Sequence, residues 1–488
     1  MKYWKISMVA LVLVASCDKI LDQELVGDRS DENYWQSEQD LLDAVAGTYR
    51  AFVNRDMGMN DLFFDNASDD HWRAGDHAPD EPIETFNTDP GNSKLQSTYV
   101  NKYEVIARAN RILINGSRVK ENSSISDAAY QALMGEAHFL RAYAYYRLFA
   151  IHGQVPIIKE EDVIANNYNV PKCESLNEIT DFMISDLEKA ASFLPVHNEP
   201  GRVGKGAAWA LLTTVYMHRA SEYRDEANLS KAIEYGQQVV DNYPLADDYA
   251  SLFAPGNEYL PENLFLMMND MEWINQMLMS KHRGPRPWGA YGFQEPLPDL
   301  VQEFETGDAR KQVTIVGDGE QIWAGNRYLT HTPGLSRTGY SYAKYLAWRE
   351  DGSFNHGLNI PFLRAADTYL LVAEALIRLN GPGSGDGLIN MVRNRADLGD
   401  VENADMDVIM HETRVELAGE NFRHQNLLRW DKAGIVDLEA FYARPEKMIV
   451  SDVGRRKFVR PRNYYYPLPQ IEIDKSNGVL VQNPEYVF

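Results

Sequence analysis

The chain has 488 residues and carries 48 lysines and arginines against 71 aspartates and glutamates, a formal net charge of −23 at pH 7. Proteins that bind nucleic acid present a basic surface to the phosphates, so this balance argues against DNA or RNA as a partner. Hydrophobic residues make up 44% of the chain, which is enough to bury a sizeable core, and cysteine occurs only at Cys17 and Cys173.

The first segment, 1–16, has the composition of a secretory signal peptide. A basic start precedes the apolar run Ile6–Ala15, which covers about half of the ~20 residues that a membrane-spanning helix needs. The run ends in V-A-S-C, which resembles a bacterial lipobox and implies cleavage before Cys17, lipidation of that cysteine and a membrane anchor. The simpler alternative is a secreted protein in which Cys17 has no special role. A single body at 17–488 is predicted to follow, and since Cys173 is its only cysteine besides the lipidated one, no intrachain disulfide is predicted.

Amphipathic helices form the predicted scaffold over about 31–270 and 360–488. Apolar residues recur there at intervals of three and four, which is typical of helices with one buried face. Ser37 and Ser175 are predicted N-caps, and Glu178 is predicted to complete a capping box with Ser175. The predicted helices of the first half lie at 41–52, 99–113, 127–149, 179–194, 207–218 and 229–242.

Two of these helices, 207–218 and 229–242, resemble a tetratricopeptide repeat. Trp209 and Tyr216 stand at the spacing of its first-helix signature, although the turn between the helices is longer than the consensus allows. A similar pair recurs within Tyr369–Asp397. Helix pairs of this kind cannot bury their apolar faces alone and must stack on one another. The predicted fold class is therefore mainly α, built from tetratricopeptide-like helix pairs.

Two loop-rich segments, 60–93 and 271–359, interrupt the helical pattern. Their glycine, proline and aromatic residues follow no helical period, so these segments are predicted to be loops with short strands. Binding residues are commonly carried by loops on a rigid scaffold. We therefore place the candidate functional residues in these two segments.

Nine short blocks of sequence, spread over the whole mature chain, are informative because of the order in which they occur. They are Glu32–Trp35, Asp40–Tyr49, Gly135–Tyr143, Gly201–Ala208, Leu363–Ala375, Asn390–Ala396, Glu412–Trp430, Tyr466–Gln470 and Gln482–Tyr486. In this order, and together with the lipobox, the blocks resemble the SusD/RagB family of outer-membrane nutrient-binding lipoproteins. The resemblance implies a SusD-like fold with no catalytic residues and no cofactor.

The resemblance also implies a function. Family members capture oligosaccharides at the outer face of the outer membrane and deliver them to a SusC-like TonB-dependent transporter. The expected partners are therefore that transporter, an oligosaccharide and, through the lipid anchor, the outer membrane. Two alternatives stay open, a RagB-like lipoprotein that binds peptides and a surface glycoside hydrolase.

Aromatic residues of the two loop-rich segments are the candidate ligand contacts. Sugars present flat C–H faces that lie against rings, while neighbouring polar side chains bond the hydroxyls. The predicted ligand-binding residues are Asp69, Asp70, His71, Trp72, Arg73, Trp273, Trp288, Tyr291, Trp323, Tyr328, Tyr340 and Tyr342. The remaining tryptophans of the mature chain, Trp35, Trp209, Trp348 and Trp430, are predicted to be structural. The alternative for each loop ring is packing in a small local core.

Other chemistry is weakly indicated. The acidic loop holds groups that can bind a metal, namely Asp69, Asp70, His71, Asp76, His77, Asp80 and Glu81. Their spacing matches neither an EF-hand nor a zinc motif, so we predict no metal and regard structural calcium as a minor alternative. The segment His411–Val415 lacks the second histidine of the zincin helix, and 201–206 departs from a P-loop. No motif marks a catalytic carboxylate pair.

Overall fold

The computed structural model describes residues 34–52, 64–75, 78–269, 282–353 and 357–486. The predicted signal peptide, the predicted lipidation site Cys17 and the predicted ligand contact Trp273 lie outside these ranges, as do Asp76 and His77 of the acidic loop. The structure is 55% helix and 7% strand, which confirms the predicted mainly α fold class.

Helices make up most of the described chain. In chain order they are α1 Glu38–Ala51, α2 Asp80–Glu84, α3 Ser93–Asn122, α4 Asp127–His152, α5 Glu160–Ile164, α6 Leu176–Phe193, α7 Lys205–Tyr223, α8 Glu226–Asn242, α9 Pro298–Glu303, α10 Arg310–Thr314, α11 Ala365–Asn380, α12 Asp386–Arg395, α13 Met406–Leu417, α14 Arg423–Ala433, α15 Leu438–Phe441 and α16 Gln470–Lys475. The short helices α2, α5, α9 and α10 were not predicted. Among the described residues, no helix is both long enough and apolar enough to span a membrane.

The strands are short and lie mostly in the two loop-rich segments. They are β1 His71–Arg73, β2 Asn263–Met267, β3 Gln294–Pro296, β4 Ile315–Gly317, β5 Gln321–Trp323, β6 Tyr328–Thr330, β7 Tyr340–Tyr342 and β8 Ile360–Arg364. All pairs are antiparallel: β1 with β3, β2 with β8, β4 with β7, and β5 with β6. The predicted short strands are therefore present. Since β1 belongs to the first segment and β3 to the second, the two segments meet.

The predicted serine caps begin α1 and α6. Ser37 Oγ accepts from the backbone N–H of Asp40 at 3.3 Å, and the Asp40 carboxylate accepts from the N–H of Ser37 at 2.9 Å, a complete capping box. Ser175 Oγ accepts from the N–H of Glu178 at 3.2 Å. The Glu178 carboxylate, however, accepts from the N–H of Glu174 and not from Ser175. Only half of the predicted second box is formed.

Consecutive helices stack side by side as the repeat-like pattern predicts. α3 packs on α4, α4 on α6, α6 on α7, α7 on α8, and α8 on α11. Close approach of α8 and α11 depends on Gly236, because a Cβ there would overlap the side chain of Val372. Tyr216 and Tyr235 stack across α7 and α8 with centroids 5.8 Å apart. The main apolar cluster extends along the chain from Ala51 to Leu480.

Charged residues of the family-like blocks lie inside this scaffold. Arg364 is 1% exposed and lies 2.5 Å from Glu262 and 2.7 Å from Glu420, and its guanidinium also contacts Glu416 at 3.0 Å. Arg395 joins the same acids, 2.5 Å from Glu416 and 2.7 Å from Glu262. Buried charges are tolerated only when they are paired and hydrogen-bonded. These block residues therefore hold the scaffold together and say little about a ligand.

Candidate ligand-binding face

Strand β1 turns one of its side chains toward solvent. It pairs with β3 so that His71 lies opposite Pro296 and Trp72 opposite Glu295. Neighbouring side chains of a strand point to opposite faces. His71 is buried, whereas Trp72 is partly exposed. The strand therefore presents Trp72 on the outside and directs His71 to the interior.

The interior side of β1 is a buried polar network. The ring nitrogens of His71 lie 3.1 Å from Asn66 Oδ1 and 3.1 Å from the hydroxyl of Tyr342. The amide nitrogen of Gln294 donates to Asn66 Oδ1 at 2.9 Å. Burial, together with the positive charge of Arg283, lowers the pKa of His71 well below its usual value, so the imidazole is neutral. The predicted ligand contacts His71 and Tyr342 are thus assigned to the support beneath the surface.

Asp69 and Asp70 are likewise interior residues. Arg414 lies 3.0 Å from Asp69 and 2.9 Å from Asp70, and Arg423 lies 2.8 Å from Asp69. Burial alone would raise the pKa of Asp69, but the guanidinium groups of Arg414 and Arg423 hold that pKa well below its usual range. Lys447 also contacts Asp69, at 3.3 Å. We correct the expected role of both aspartates, because their oxygens are enclosed by cations and turned away from solvent.

Asp65, next to this network, gives a test of its electrostatics. It is buried, accepts from the backbone N–H of His424 at 2.8 Å, and burial with the nearby Asp70 raises its pKa to about 7. The folded state therefore keeps a proton that the unfolded chain releases above about pH 4, so stability falls as pH rises from about 4 to 7. Asp65→Asn, which never ionises, should gain at least about 1 kcal/mol relative to the parent between pH 5 and pH 8.

Urea denaturation of parent and variant at both pH values measures this gain. Asp400→Asn, at an exposed position outside helices and strands, is the control for loss of a carboxylate. An equal parent-to-variant difference for Asp65→Asn at pH 5 and pH 8 would contradict the assignment.

Among the described ligand contacts predicted from the sequence, the most exposed rings lie on the β5–β6 hairpin. Trp323 and Tyr328 are directly paired across its two strands, with ring centroids 5.0 Å apart at an interplanar angle of 64°. Trp323 is 53% exposed and Tyr328 64% exposed. Large aromatic rings left this open on a monomer are candidates for binding. Of the predicted ligand contacts, these two are the best placed to meet a ligand.

Trp288 packs against two residues that lie beside the hairpin. Its ring lies 6.4 Å from that of Trp348 and 6.0 Å from that of His331, which follows β6. Trp348 in turn lies beside the hairpin turn at Gly325, whose φ is +80°. A Cβ on Gly325 would overlap the carbonyl oxygen of Arg349, so glycine is required there. Trp348, predicted to be structural, packs under the turn and supports this arrangement.

Two further tyrosines flank these rings. Tyr291 is 41% exposed and stacks on Phe293 with centroids 5.3 Å apart. Tyr340 is partly exposed on β7, where it pairs with Gly317. We use the name aromatic face for the exposed and partly exposed rings of the two loop-rich segments, Trp72, Trp288, Tyr291, Trp323, Tyr328 and Tyr340.

Arg337, which no sequence pattern indicated, lies on this face. Its guanidinium lies over the Trp72 ring, 5.2 Å from the centroid. Its backbone N–H and that of Thr338 donate to one oxygen of Glu295, at 2.8 and 3.2 Å. Burial raises the pKa of that carboxyl, and the two N–H donors oppose the rise. The segment between β6 and β7 is thereby tied to β3, next to Trp72.

Arg73, the last polar candidate, is held by acids. Its guanidinium lies 2.9 Å from Glu81 and 3.6 Å from Glu84, and its backbone N–H donates to Glu84 at 3.1 Å. It is partly exposed, and both of its charge partners are acids of α2. We assign it to fixing the end of β1 on α2.

The carboxylates of Asp80 and Glu81 in the acidic loop already pair with cations, so they are poor candidates for metal ligands. Asp80 is paired with Lys94 at 2.6 Å, and Glu81 with Arg73. Elsewhere among the described residues, one group has ligand atoms within 4.8 Å of one another, Glu305, His411 and Glu412. Arg393 bonds both of those glutamates, at 2.6 and 3.1 Å, so a guanidinium already compensates their charge.

A cleft of about 630 Å³ lies away from the aromatic face. α3 and α16 form its walls together with the loop after α5, and its lining includes Tyr99, Tyr103 and Tyr168. No predicted ligand contact lines it. It is the alternative location for a bound ligand.

Two family profiles together match almost the whole chain. The profile described as "SusD family" matches residues 249–486, and the profile described as "Starch-binding associating with outer membrane" matches residues 21–217. SusD-like protein P25 of Formosa agariphila is 26% identical, over 96% of this chain and 95% of that protein.

Solved structures share the fold. A SusD superfamily protein from Bacteroides vulgatus superposes with a TM-score of 0.77 at 21% identity, over 93% of this chain and all of that one. Surface glycan-binding protein A from Bacteroides thetaiotaomicron, solved in complex with laminarihexaose, superposes with a TM-score of 0.73 at 20% identity, over 92% of this chain and 99% of that one.

Proposed function

This chain belongs to the SusD family, and we propose that it is a cell-surface glycan-binding lipoprotein, which captures oligosaccharides on the aromatic face without cleaving them. A relative of the same fold was solved with laminarihexaose bound. The observation that carries the proposal is the open pair Trp323 and Tyr328 on the β5–β6 hairpin, whose turn lies beside Trp348, which in turn contacts Trp288.

The energetics of stacking suit capture and release. A sugar covers one face of a ring, so each ring contributes roughly 1–2 kcal/mol. Two or three rings then give about 4 kcal/mol or slightly more, which corresponds to binding in the millimolar to high-micromolar range. Binding of this strength lets a receptor pass its ligand on.

Delivery is the second part of the proposal. The lipobox-like end at Cys17 would tether the body to the outer membrane, facing the exterior, and the ligand would pass to a SusC-like TonB-dependent transporter. Support comes from the family profile described as associating with the outer membrane. The charge of −23 is consistent with a body that binds no nucleic acid.

Incubation of the purified protein with a glycan panel, laminarihexaose included, tests capture against hydrolysis. Calorimetry should detect binding of at least one glycan, and chromatography should detect no shortened product. Product formation by the parent that is absent from a mock purification would establish an enzyme and contradict the proposal.

Anchoring gives a prediction of its own. Cys17→Ala should abolish lipid incorporation and move the protein from the detergent phase to the aqueous phase, because the thiol that carries the lipid is absent. Metabolic labelling with a fatty acid followed by detergent partitioning measures both effects. Cys173→Ala, at a buried position, is the matched control and should stay in the detergent phase. Retention of Cys17→Ala in the detergent phase would refute the anchor.

A further inference from the structure

We propose that the aromatic face takes an acidic oligosaccharide, one that carries carboxylate or sulfate groups, and that Arg337 and Arg327 bind those groups. The inference rests on the proposed function and adds the chemical class of the ligand. It is drawn from two exposed guanidinium groups, that of Arg337 over Trp72 and that of Arg327 at the turn of the β5–β6 hairpin.

Arg337 is preorganised as an anion donor. Its guanidinium is held over Trp72, 5.2 Å from the ring centroid. A cation over an aromatic face is stabilised electrostatically, and the side chain loses less freedom when a ligand arrives. The guanidinium keeps its fork of N–H donors in one plane, which matches the geometry of a carboxylate or a sulfate.

Arg327 lies next to Tyr328 at the turn of the β5–β6 hairpin. Its carbonyl oxygen accepts from the N–H of Ala324 at 2.8 Å, which fixes the turn, while the side chain is exposed. Within the described part of the chain, neither Arg327 nor Arg337 has a carboxylate oxygen within 4 Å of its guanidinium.

The acids around the face are engaged by other donors. Glu295 accepts from the backbone at Arg337 and Thr338. Glu320 accepts from the N–H of Gly317 at 2.7 Å, and Asp318 contacts His331 at 2.8 Å. Asp351 is hydrogen-bonded by Ser353. The positive charge of Arg337 also acts on Glu295 and opposes the rise of its pKa, but this carboxylate takes its hydrogen bonds from the backbone, so the guanidinium keeps donors for a ligand.

The test compares matched probes by calorimetry at low salt. The probes are oligogalacturonate, the same oligosaccharide with its carboxyl groups reduced to alcohols, a sulfated galactan oligosaccharide and laminarihexaose. We expect at least one acidic probe to bind at least tenfold more tightly than the reduced oligosaccharide, and the two acidic probes separate a carboxylate ligand from a sulfate ligand. In Arg327→Gln/Arg337→Gln that preference should disappear, with a loss of about tenfold for each arginine.

Arg108→Gln is the matched control. Arg108 lies on α3, where it is exposed and paired with Glu104 at 2.8 Å, so its loss should leave affinity unchanged. Equal binding of acidic and reduced probes, or no binding of either acidic probe, would overturn the inference. Retention of the acidic preference by the double variant would overturn it as well.

The same titrations separate this inference from the proposed function. Binding of laminarihexaose that depends on Trp323 but shows no preference for acidic probes leaves capture intact and removes the anion site. Acidic binding that depends on the arginines but survives loss of Trp323 and Tyr328 keeps the anion site and contradicts capture by stacking.

Discussion

Replacing Arg364 with alanine should lower the free energy of unfolding by about 3–5 kcal/mol, because it leaves several buried carboxylates short of their counter-charge. Arg364 is 1% exposed and contacts Glu262, Glu416 and Glu420, all fully buried. Positive charge from Arg364 and from Lys344 keeps the pKa of Glu420 below its usual range in spite of burial. Loss of the guanidinium removes the first of these contributions. Urea denaturation at pH 7 measures the effect.

Arg108→Ala is the comparison for this prediction. Arg108 forms an ion pair with Glu104, and the two side chains are 47% and 36% exposed, respectively. Surface ion pairs of this kind contribute less than about 1 kcal/mol to the free energy of unfolding. A cost for Arg364→Ala no greater than that for Arg108→Ala would show that the buried network does not stabilise the scaffold. Refolded Arg364→Ala should bind glycan as the parent does.

Replacing both Trp323 and Tyr328 with alanine should lower the affinity for oligosaccharide by about 100-fold. Each ring contributes roughly 1–2 kcal/mol, and about 2.8 kcal/mol corresponds to that factor. Both side chains are more than half exposed, at 53% and 64%, so stability should change little. Calorimetric titration measures the affinity, and a thermal melt measures the stability.

Two outcomes would count against this second prediction. Unchanged affinity would show that the ligand binds elsewhere. If the double variant melted as early as a variant that lacks a core tryptophan, the hairpin rings would instead pack a local core. Trp430→Ala supplies that reference, because Trp430 is fully buried and donates from Nε1 to Glu374 at 3.0 Å.

The helical scaffold was predictable because its signals are local. Apolar spacing predicted α3, α4 and α6–α8, and Ser37 predicted the start of α1 by its side-chain chemistry. The short helices α5 and α9 were missed because a helix of this length depends on its tertiary surroundings. The second half of the Ser175 capping box failed because Glu178 found a competing backbone donor at Glu174.

The candidate site was only partly predictable because its partners are distant in sequence. Asp70 is neutralised by Arg414, 344 positions further along, so no local pattern shows that it is buried. The contact of Arg337 with Trp72 forms across two separate loop-rich segments. Trp323 and Tyr328, in contrast, lie in one hairpin, and both were selected from their loop-rich surroundings.

A crystal structure of the protein with a bound oligosaccharide tests the central claim most directly. We expect sugar rings stacked on Trp323 and Tyr328 at van der Waals distance, with the ligand extending toward Trp72 and every glycosidic bond intact. An oligosaccharide bound instead in the cleft between α3 and α16, with the hairpin rings bare, would contradict the account.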